Sequence, residues 1–268
     1  MLTLTHDRYL SLDPNLTPST EESYHWSRAL SSFNKQLSQP PRGDEASALL
    51  TTAAMLGVLT FYHMEATTPE EAWPLSPPTQ SDLTWLKMSN GKKEVFKLTQ
   101  QSKFEPTPLF RQLSEVYTTG LLPTSSDFRP SKADACTPPE LSRLYNLSEA
   151  TPNTDESCDP LQWAAGRLAL VLAADGAPHA VVLGFVLLIS AMRPDFKQLL
   201  EHKDPRALLL LAWWYAKINQ TGLWWLSRRS HLEGMAICLY LERQYPYDKD
   251  IQALVEYPKS VFEAASGK

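Results

Sequence analysis

Apolar residues recur at intervals of three and four positions along much of this chain, whereas alternating runs of β-branched residues are nearly absent. Such spacing is typical of amphipathic helices and not of strands. The first segment of this kind covers residues 21–37 and is ended by the Pro-Pro-Arg-Gly run that begins at Pro40. The next, residues 45–64, follows Asp44 as an N-cap and is apolar around most of its circumference. That pattern indicates a helix at the centre of a fold.

The same spacing predicts further helices on both sides of a long polar segment. In the first half, one begins at Ser81-Asp82 and bends at Gly91, and a short one lies near residues 108–117. In the second half, helices are predicted over residues 160–173, 179–191, 194–201, 205–218, 223–245 and 248–255. We therefore expect an all-α, multi-helix fold.

Residues 122–157 interrupt the helical pattern with many Pro, Ser, Thr and Asp residues. This composition is typical of a surface loop or an internal linker. Pro138-Pro139 is expected to open one small helix inside it. We expect residues 1–268 to form a single helical domain in two blocks, about 21–121 and 158–256, joined by this loop-rich segment.

Charge and cysteine content narrow the functional classes. The net charge is −5, and the longest basic clusters are pairs such as Lys92-Lys93. A reader of duplex DNA needs a basic face, so we expect no direct nucleic-acid partner. Three widely separated cysteines and an N-terminus without an apolar run predict an intracellular protein, cytoplasmic or nuclear. The apolar run at residues 180–192 is 13 residues long, too short for a membrane span.

Two blocks of the sequence are distinctive. The more specific one begins at Asp195 and reads Asp-Phe-Lys-Gln-Leu-Leu-Glu-His-Lys-Asp-Pro-Arg-Ala-Leu-Leu-Leu-Leu-Ala-Trp-Trp-Tyr-Ala, followed by Trp224-Trp225, Arg228-Arg229, Glu233, residues 236–242 and Tyr257-Pro258. The other contains Tyr24, Asp44-Glu45, Ala48-Leu49-Leu50, Trp73-Pro74-Leu75, Trp85-Leu86-Lys87-Met88 and Gly91. Together they cover about half of the chain and resemble the regulatory domain of fungal zinc binuclear-cluster transcription factors, including the sterol-uptake regulators.

The resemblance implies an all-helical regulatory domain that holds an apolar small molecule, a sterol in some members, and that contacts a transcription partner. The family's DNA-binding zinc cluster needs six closely spaced cysteines. This chain has three, Cys136, Cys158 and Cys238, separated by 22 and 80 positions. A cluster of that type is therefore excluded, DNA binding does not carry over, and we expect neither a metal nor another cofactor.

Aromatic residues are concentrated in two places, Trp213-Trp214-Tyr215 and Trp224-Trp225. Aromatic walls suit a flat polycyclic, terpenoid or polyketide ligand. The alternative is that these side chains fill a helical core. Adjacent residues of a helix point about 100° apart, so both members of a pair cannot line one pocket. Trp213, Trp214, Trp224 and Trp225 are all candidate ligand-binding residues.

Three further candidates lie outside the tryptophan pairs. Phe61 and His63 come at the end of the apolar second helix, where His63 is either an acid–base group of a pocket or a cap of the helix C-terminus. Arg228 is a candidate for holding an anionic or carbonyl group of a ligand. The alternative is a solvated helix face, on which Arg229 and Glu233 form a surface ion pair.

Familiar catalytic signatures are missing from the sequence, among them a Gly-rich phosphate loop, His-Glu-x-x-His and Gly-x-Ser-x-Gly. Two hypotheses remain open. The first is a non-enzymatic module that binds an apolar small molecule and a regulatory protein. The second is a cofactor-independent cyclase or isomerase of fungal secondary metabolism, which would lower a barrier through a shaped apolar cavity. Assembly into a homodimer is open under both.

Overall fold

The computed structural model describes residues 4–6, 8, 18–39, 44–80, 82–100, 137–147, 158–173, 181, 184, 189 and 192–266. Within these ranges the chain forms helices and no strand, so the prediction of an all-α fold is confirmed. The predicted helix at residues 108–117 lies outside the described residues. So do most of the predicted helix at residues 179–191 and most of the loop-rich segment 122–157.

The helices follow the predicted order. They are α1 (Thr20–Leu37), α2 (Asp44–Tyr62), α3 (Thr84–Gln100), α4 (Pro139–Leu144), α5 (Pro160–Ala173), α6 (Pro194–Glu201), α7 (Pro205–Asn219), α8 (Trp224–Gln244) and α9 (Lys249–Ser266), with a 3₁₀ turn at Pro69–Glu71 between α2 and α3. Helix α3 is continuous through Gly91, and α9 extends well beyond the predicted residue 255.

Side-chain caps explain several helix starts. Ser19 Oγ accepts a hydrogen bond from the Glu22 amide at the beginning of α1 (3.0 Å). Asp204 accepts two from the first turn of α7, each 3.0 Å long, and Pro205 occupies the first helical position, where its missing N–H costs nothing. Asp248 likewise accepts hydrogen bonds from the first turn of α9. These caps supply partners for amides of the first turn, which have none within the helix.

Helix α7 lies at the centre of the fold. Eleven of its residues are buried, and it packs against α5, α6, α8 and α9. A helix that is apolar around most of its surface requires neighbours on several sides. Helix α8 packs on α7 and α9 and also contacts α2 and the 3₁₀ turn. Because α2 in turn packs against α1 and α3, helix α8 joins the second half of the chain to the first.

Helix α2 has an unusual composition among the described helices. By length and composition alone, residues Glu45–Tyr62 are apolar enough to cross a membrane. Half of that window is buried inside the fold, and central helices of globular proteins have the same properties. In this structure α2 lies between α1, α3 and α8.

Candidate ligand-binding cavity

A cavity of about 690 Å³ lies between α1, the C-terminal end of α2, the connection that leads to α3, and one face of α8. Its volume falls within the range of about 300–1,000 Å³ that is typical of small-molecule sites. Residues as distant in sequence as Thr5 and Glu233 line it. The packing of α2 on α8 therefore creates the site.

Apolar and aromatic side chains form much of the cavity wall. Trp26 comes from α1, Tyr62 from α2, and Trp73, Leu83 and Trp85 from the connection and the start of α3. Leu83 has a φ of 55°, an uncommon conformation for a leucine, directly before α3 begins. Leu83 and Trp85 are each only 4% exposed. This wall suits an apolar ligand.

A buried polar cluster closes the cavity on the side of α8. We call Arg229 and Glu233, which line the cavity, together with Tyr215 behind them, the polar floor. Arg229 pairs with Glu233 Oε1, and the Tyr215 hydroxyl donates to Glu233 Oε2 at 2.6 Å. Arg229 is 9% exposed and Glu233 4%. The prediction that this pair lies on a solvated helix face is therefore wrong.

Arg229 also ends helix α2. Its Nε donates to the carbonyl oxygen of Phe61 and its Nη2 to that of His63, both at 2.6 Å. The last carbonyls of a helix have no partner within the helix, and a cation is favoured beside them. This guanidinium therefore fixes the end of α2 against α8.

Tyr215 acts as a hydrogen-bond donor in the polar floor. Burial raises the pKa of its phenol well above the usual value, and the negative charge of Glu233 raises it further. The hydroxyl therefore stays protonated and donates to the carboxylate.

A second ion pair lies at the α1 side of the cavity. Glu22 accepts hydrogen bonds from Arg8 Nη2 (2.9 Å), Arg8 Nε (3.1 Å) and the Thr5 hydroxyl (2.7 Å). Burial raises the pKa of Glu22, but the hydrogen bonds from Arg8 and Thr5 outweigh that effect and leave it lowered. Glu22 is therefore ionised at neutral pH and holds Arg8 in a two-pronged contact.

His63 lies on the cavity wall. Although the residue is exposed, desolvation of the ring lowers its pKa, and the nearby charge of Arg8 lowers it further. The imidazole is therefore neutral at pH 7 and able to accept a proton. The cation at the C-terminus of α2 is Arg229, not His63.

The other predicted ligand-binding residues lie outside the wall of this cavity. Phe61 is buried behind it, with its ring edge-on to Trp85 at 5.2 Å and to Trp225 at 6.3 Å. Trp224 packs against the ring of Tyr62 at 5.1 Å. These aromatic side chains support the wall from outside and do not line it.

Three other candidates, Trp213, Trp214 and Arg228, make contacts within the fold and do not line the cavity. Trp213 Nε1 donates to the carbonyl oxygen of Leu254 at 2.9 Å, which ties α7 to α9, and Trp214 is 1% exposed in the core. The placement of both agrees with the core-filling alternative. Arg228 Nη2 donates to the carbonyl oxygen of Ala66 at 3.1 Å, and it is the neighbouring Arg229, not Arg228, that lines the cavity from α8.

Sequence reasoning missed Trp26, Trp73 and Trp85 in the wall and Arg229 with Glu233 in the floor. The sequence of α8 does contain a signal that predicts the buried charged pair of the polar floor. On α8, Arg229 and Glu233 share a stripe with Leu226, Ser230 and Ile237, all of which are buried. Residues spaced by three and four positions share one helix face, so the charged pair belongs to the buried face.

Among the residues that the structure describes, no group of three or more His, Cys, Asp or Glu side chains could hold a metal ion. Comparison of the chain with protein-family models, with curated proteins and with solved structures finds no match.

Proposed function

We propose that this protein is a helical module that binds an apolar small molecule in the cavity between α1, α2 and α8. The observation that carries the proposal is a cavity of about 690 Å³ whose wall combines aromatic and aliphatic side chains with polar and charged groups. In small-molecule sites, apolar and aromatic side chains supply contact area and polar groups orient the ligand.

The two ion pairs of the cavity favour ligand binding over catalysis, because their carboxylates already have partners. In the floor, Glu233 is satisfied by Arg229 and Tyr215, and Glu22 on α1 is satisfied by Arg8 and Thr5. Ion pairs that are already formed keep this part of the cavity in shape when it is empty, so little ordering cost opposes ligand entry.

The resemblance to fungal zinc-cluster regulatory domains supports the same proposal, since that family binds apolar compounds with an all-helical domain. The proposal includes a regulatory protein as a partner and does not include direct DNA binding, in keeping with the net charge of −5. An enzymatic role for this cavity would use His63 as the proton acceptor. In that case His63→Gln would abolish turnover while leaving ligand affinity in place.

A pair of matched threonines on α2 tests the proposal. Thr60 lines the cavity and Thr51 is exposed elsewhere on the same helix. Each hydroxyl donates to the carbonyl four residues earlier at 2.8 Å. Thr60→Trp would fill part of the cavity, whereas Thr51→Trp adds the same side chain outside it. The probe is 1-pyrenemethanol, a neutral, fluorescent polycyclic alcohol.

We expect saturable one-to-one binding of the probe to the wild type and to Thr51→Trp, with Thr60→Trp weaker by about tenfold or more. Circular dichroism of all three proteins establishes that the helices are intact. The proposal is overturned if the wild type shows no saturable binding, or if a folded Thr60→Trp protein binds the probe as tightly as Thr51→Trp does.

A further inference from the structure

More acidic than basic side chains line the cavity. Among the described residues, the lining contains two arginines, Arg8 and Arg229, and five carboxylates. Each arginine already has a carboxylate partner, Glu22 in one case and Glu233 in the other. Three carboxylates are therefore in excess.

These three form an edge that we call the acidic rim: Glu65, Glu71 and Asp82. All three belong to the connection between α2 and α3. Glu65 and Glu71 are exposed, and Asp82 is partly exposed.

Local hydrogen bonds hold two rim carboxylates in place. Glu71 accepts from the amide (2.9 Å) and the hydroxyl (2.8 Å) of Thr67. Asp82 accepts in the same way from the amide (3.0 Å) and the hydroxyl (2.6 Å) of Thr79. The bonds from Thr67 lower the pKa of Glu71, so its charge is present at neutral pH.

Two cation–π contacts lie beside this cavity. The guanidinium of Arg8 lies 5.5 Å from the centre of the Tyr62 ring, and that of Arg229 lies 5.5 Å from the centre of the Phe61 ring. The face of an aromatic ring attracts a cation. Trp26, Trp73 and Trp85 extend the aromatic surface along the wall.

We infer that the ligand is an organic ammonium ion, an apolar body that carries one protonated amine. This inference rests on the proposed function and adds the charge of the ligand to it. The apolar body would lie against the tryptophans, and the ammonium group would face the acidic rim. A carboxylate ligand is disfavoured because both arginines are already paired and the three rim carboxylates would repel it.

Three pyrene compounds with the same ring system and different head groups test the inference: 1-pyrenemethylamine, 1-pyrenemethanol and 1-pyrenecarboxylic acid. At pH 7 and low salt, we expect the amine to bind about tenfold more tightly than the alcohol, as several exposed charge pairs would allow. The carboxylic acid should bind more weakly than the alcohol. Raising the salt concentration should reduce the preference for the amine, because exposed charges are screened.

The decisive variant neutralises the rim through Glu65→Gln, Glu71→Gln and Asp82→Asn together, which keeps an acceptor oxygen at each position. Its matched control changes the protein's net charge equally at exposed positions away from the cavity, with Glu140→Gln, Glu256→Gln and Asp250→Asn. We expect the rim variant to bind the amine and the alcohol equally and the control to keep the tenfold preference.

The inference is overturned if the wild type binds the amine no more tightly than the alcohol, or if the rim variant keeps the preference. Should the rim variant fail to fold, a wild-type preference that is insensitive to salt overturns it instead. The proposed function fails separately. It fails if the alcohol does not bind saturably or binds equally to the Thr60→Trp variant, whatever the result with the amine.

Discussion

The guanidinium of Arg229 connects helix α8 to the C-terminal end of α2. It pairs with Glu233 on its own helix and donates to the carbonyl oxygens of Phe61 and His63 at the end of α2. Its side chain is 11% exposed and that of Glu233 5%. A buried ion pair adds little net stability over apolar residues, but loss of one partner leaves an uncompensated charge in the interior.

Arg229→Met should therefore lower the free energy of unfolding by about 3–5 kcal/mol, because Glu233 keeps its charge without its partner. Adding Glu233→Gln should recover part of that loss, since the buried charge is then removed and Tyr215 still has an oxygen to donate to. Urea denaturation of the single and double variants measures both effects.

The neighbouring Arg228 provides the control. It makes one hydrogen bond to a backbone carbonyl and is partly exposed, so Arg228→Met should cost about 1 kcal/mol or less. Equal destabilisation by the Arg228 and Arg229 variants would contradict the assignment of the buried ion pair, as would a double variant no more stable than Arg229→Met alone.

Two sequence rules bear on whether Arg228 or Arg229 faces the interior, and they disagree. An ion pair four residues apart is usually solvated, which favours the surface. The stripe of Leu226, Ser230 and Ile237 that includes Arg229 favours the interior, and burial follows that stripe. Helical spacing was the more informative signal here. The aromatic wall could not be found this way, because Trp26 and Trp73 have no spacing relationship to α8.

At the scale of single helices, prediction from sequence worked where local chemistry defines the ends. Helices α5 to α8 begin and end within a residue or so of their predicted bounds. Prolines mark the starts of α5, α6 and α7, and an aspartate caps α5 and α7; Asp159, for example, accepts hydrogen bonds from the Leu161 and Gln162 amides. Helix α9 was predicted too short. It continues through Pro258 to Ser266, and tertiary packing of the fully buried Phe262 explains why.

The crossing of α8 and α9 depends on a glycine. A Cβ atom at Gly234 would lie 2.3 Å from Cζ of Phe262 and less than 3 Å from two neighbouring ring atoms. The ring is 0% exposed, so it has no free space to move into. Gly234→Ala should lower the free energy of unfolding by about 1–3 kcal/mol through overpacking, although alanine is the better helix former.

Gly91 in α3 is the matched control. Nothing lies within 4 Å of a Cβ atom built there, so Gly91→Ala should stabilise the protein by about 0.5–1 kcal/mol through helix propensity alone. Both variants are compared by urea denaturation. Phe262→Leu should rescue part of the Gly234→Ala loss. A Gly234→Ala protein as stable as Gly91→Ala would show that the two helices do not approach as closely as described.

At the scale of the whole molecule, the core and the cavity differ in how far sequence reveals them. The core around α7 follows from one continuous apolar run, and a single helix pattern is enough to predict it. The cavity follows from the packing of α2 on α8, two helices separated by more than 150 residues in the chain. Spacing within one helix contains no information about that contact. The sequence identified His63 as a candidate because it lies at the end of a predicted apolar helix.

Three ionisable side chains of the described residues, His63, His231 and Glu22, make the fold less stable as the pH falls. Desolvation lowers the pKa of both His63 and His231 from the ordinary value of 6.5. In the pH range just below 6.5, the unfolded chain therefore binds more protons than the folded one, and acid favours unfolding. Glu22 extends the trend, because its pKa lies below 4.5 in the folded protein and its stabilising contribution is lost as the pH falls through that range.

We therefore expect the free energy of unfolding to decrease from pH 7 downward in two phases, one beginning near 6.5 and one below 4.5. Replacing His63 and His231 by Gln should flatten the first phase and leave the second. Urea denaturation at half-unit pH steps measures the slope, which is independent of any fixed cost of the substitutions. A first phase of unchanged slope in the double variant would show that the two imidazoles are not desolvated, and His63 would then lose its place as a neutral proton acceptor on the cavity wall.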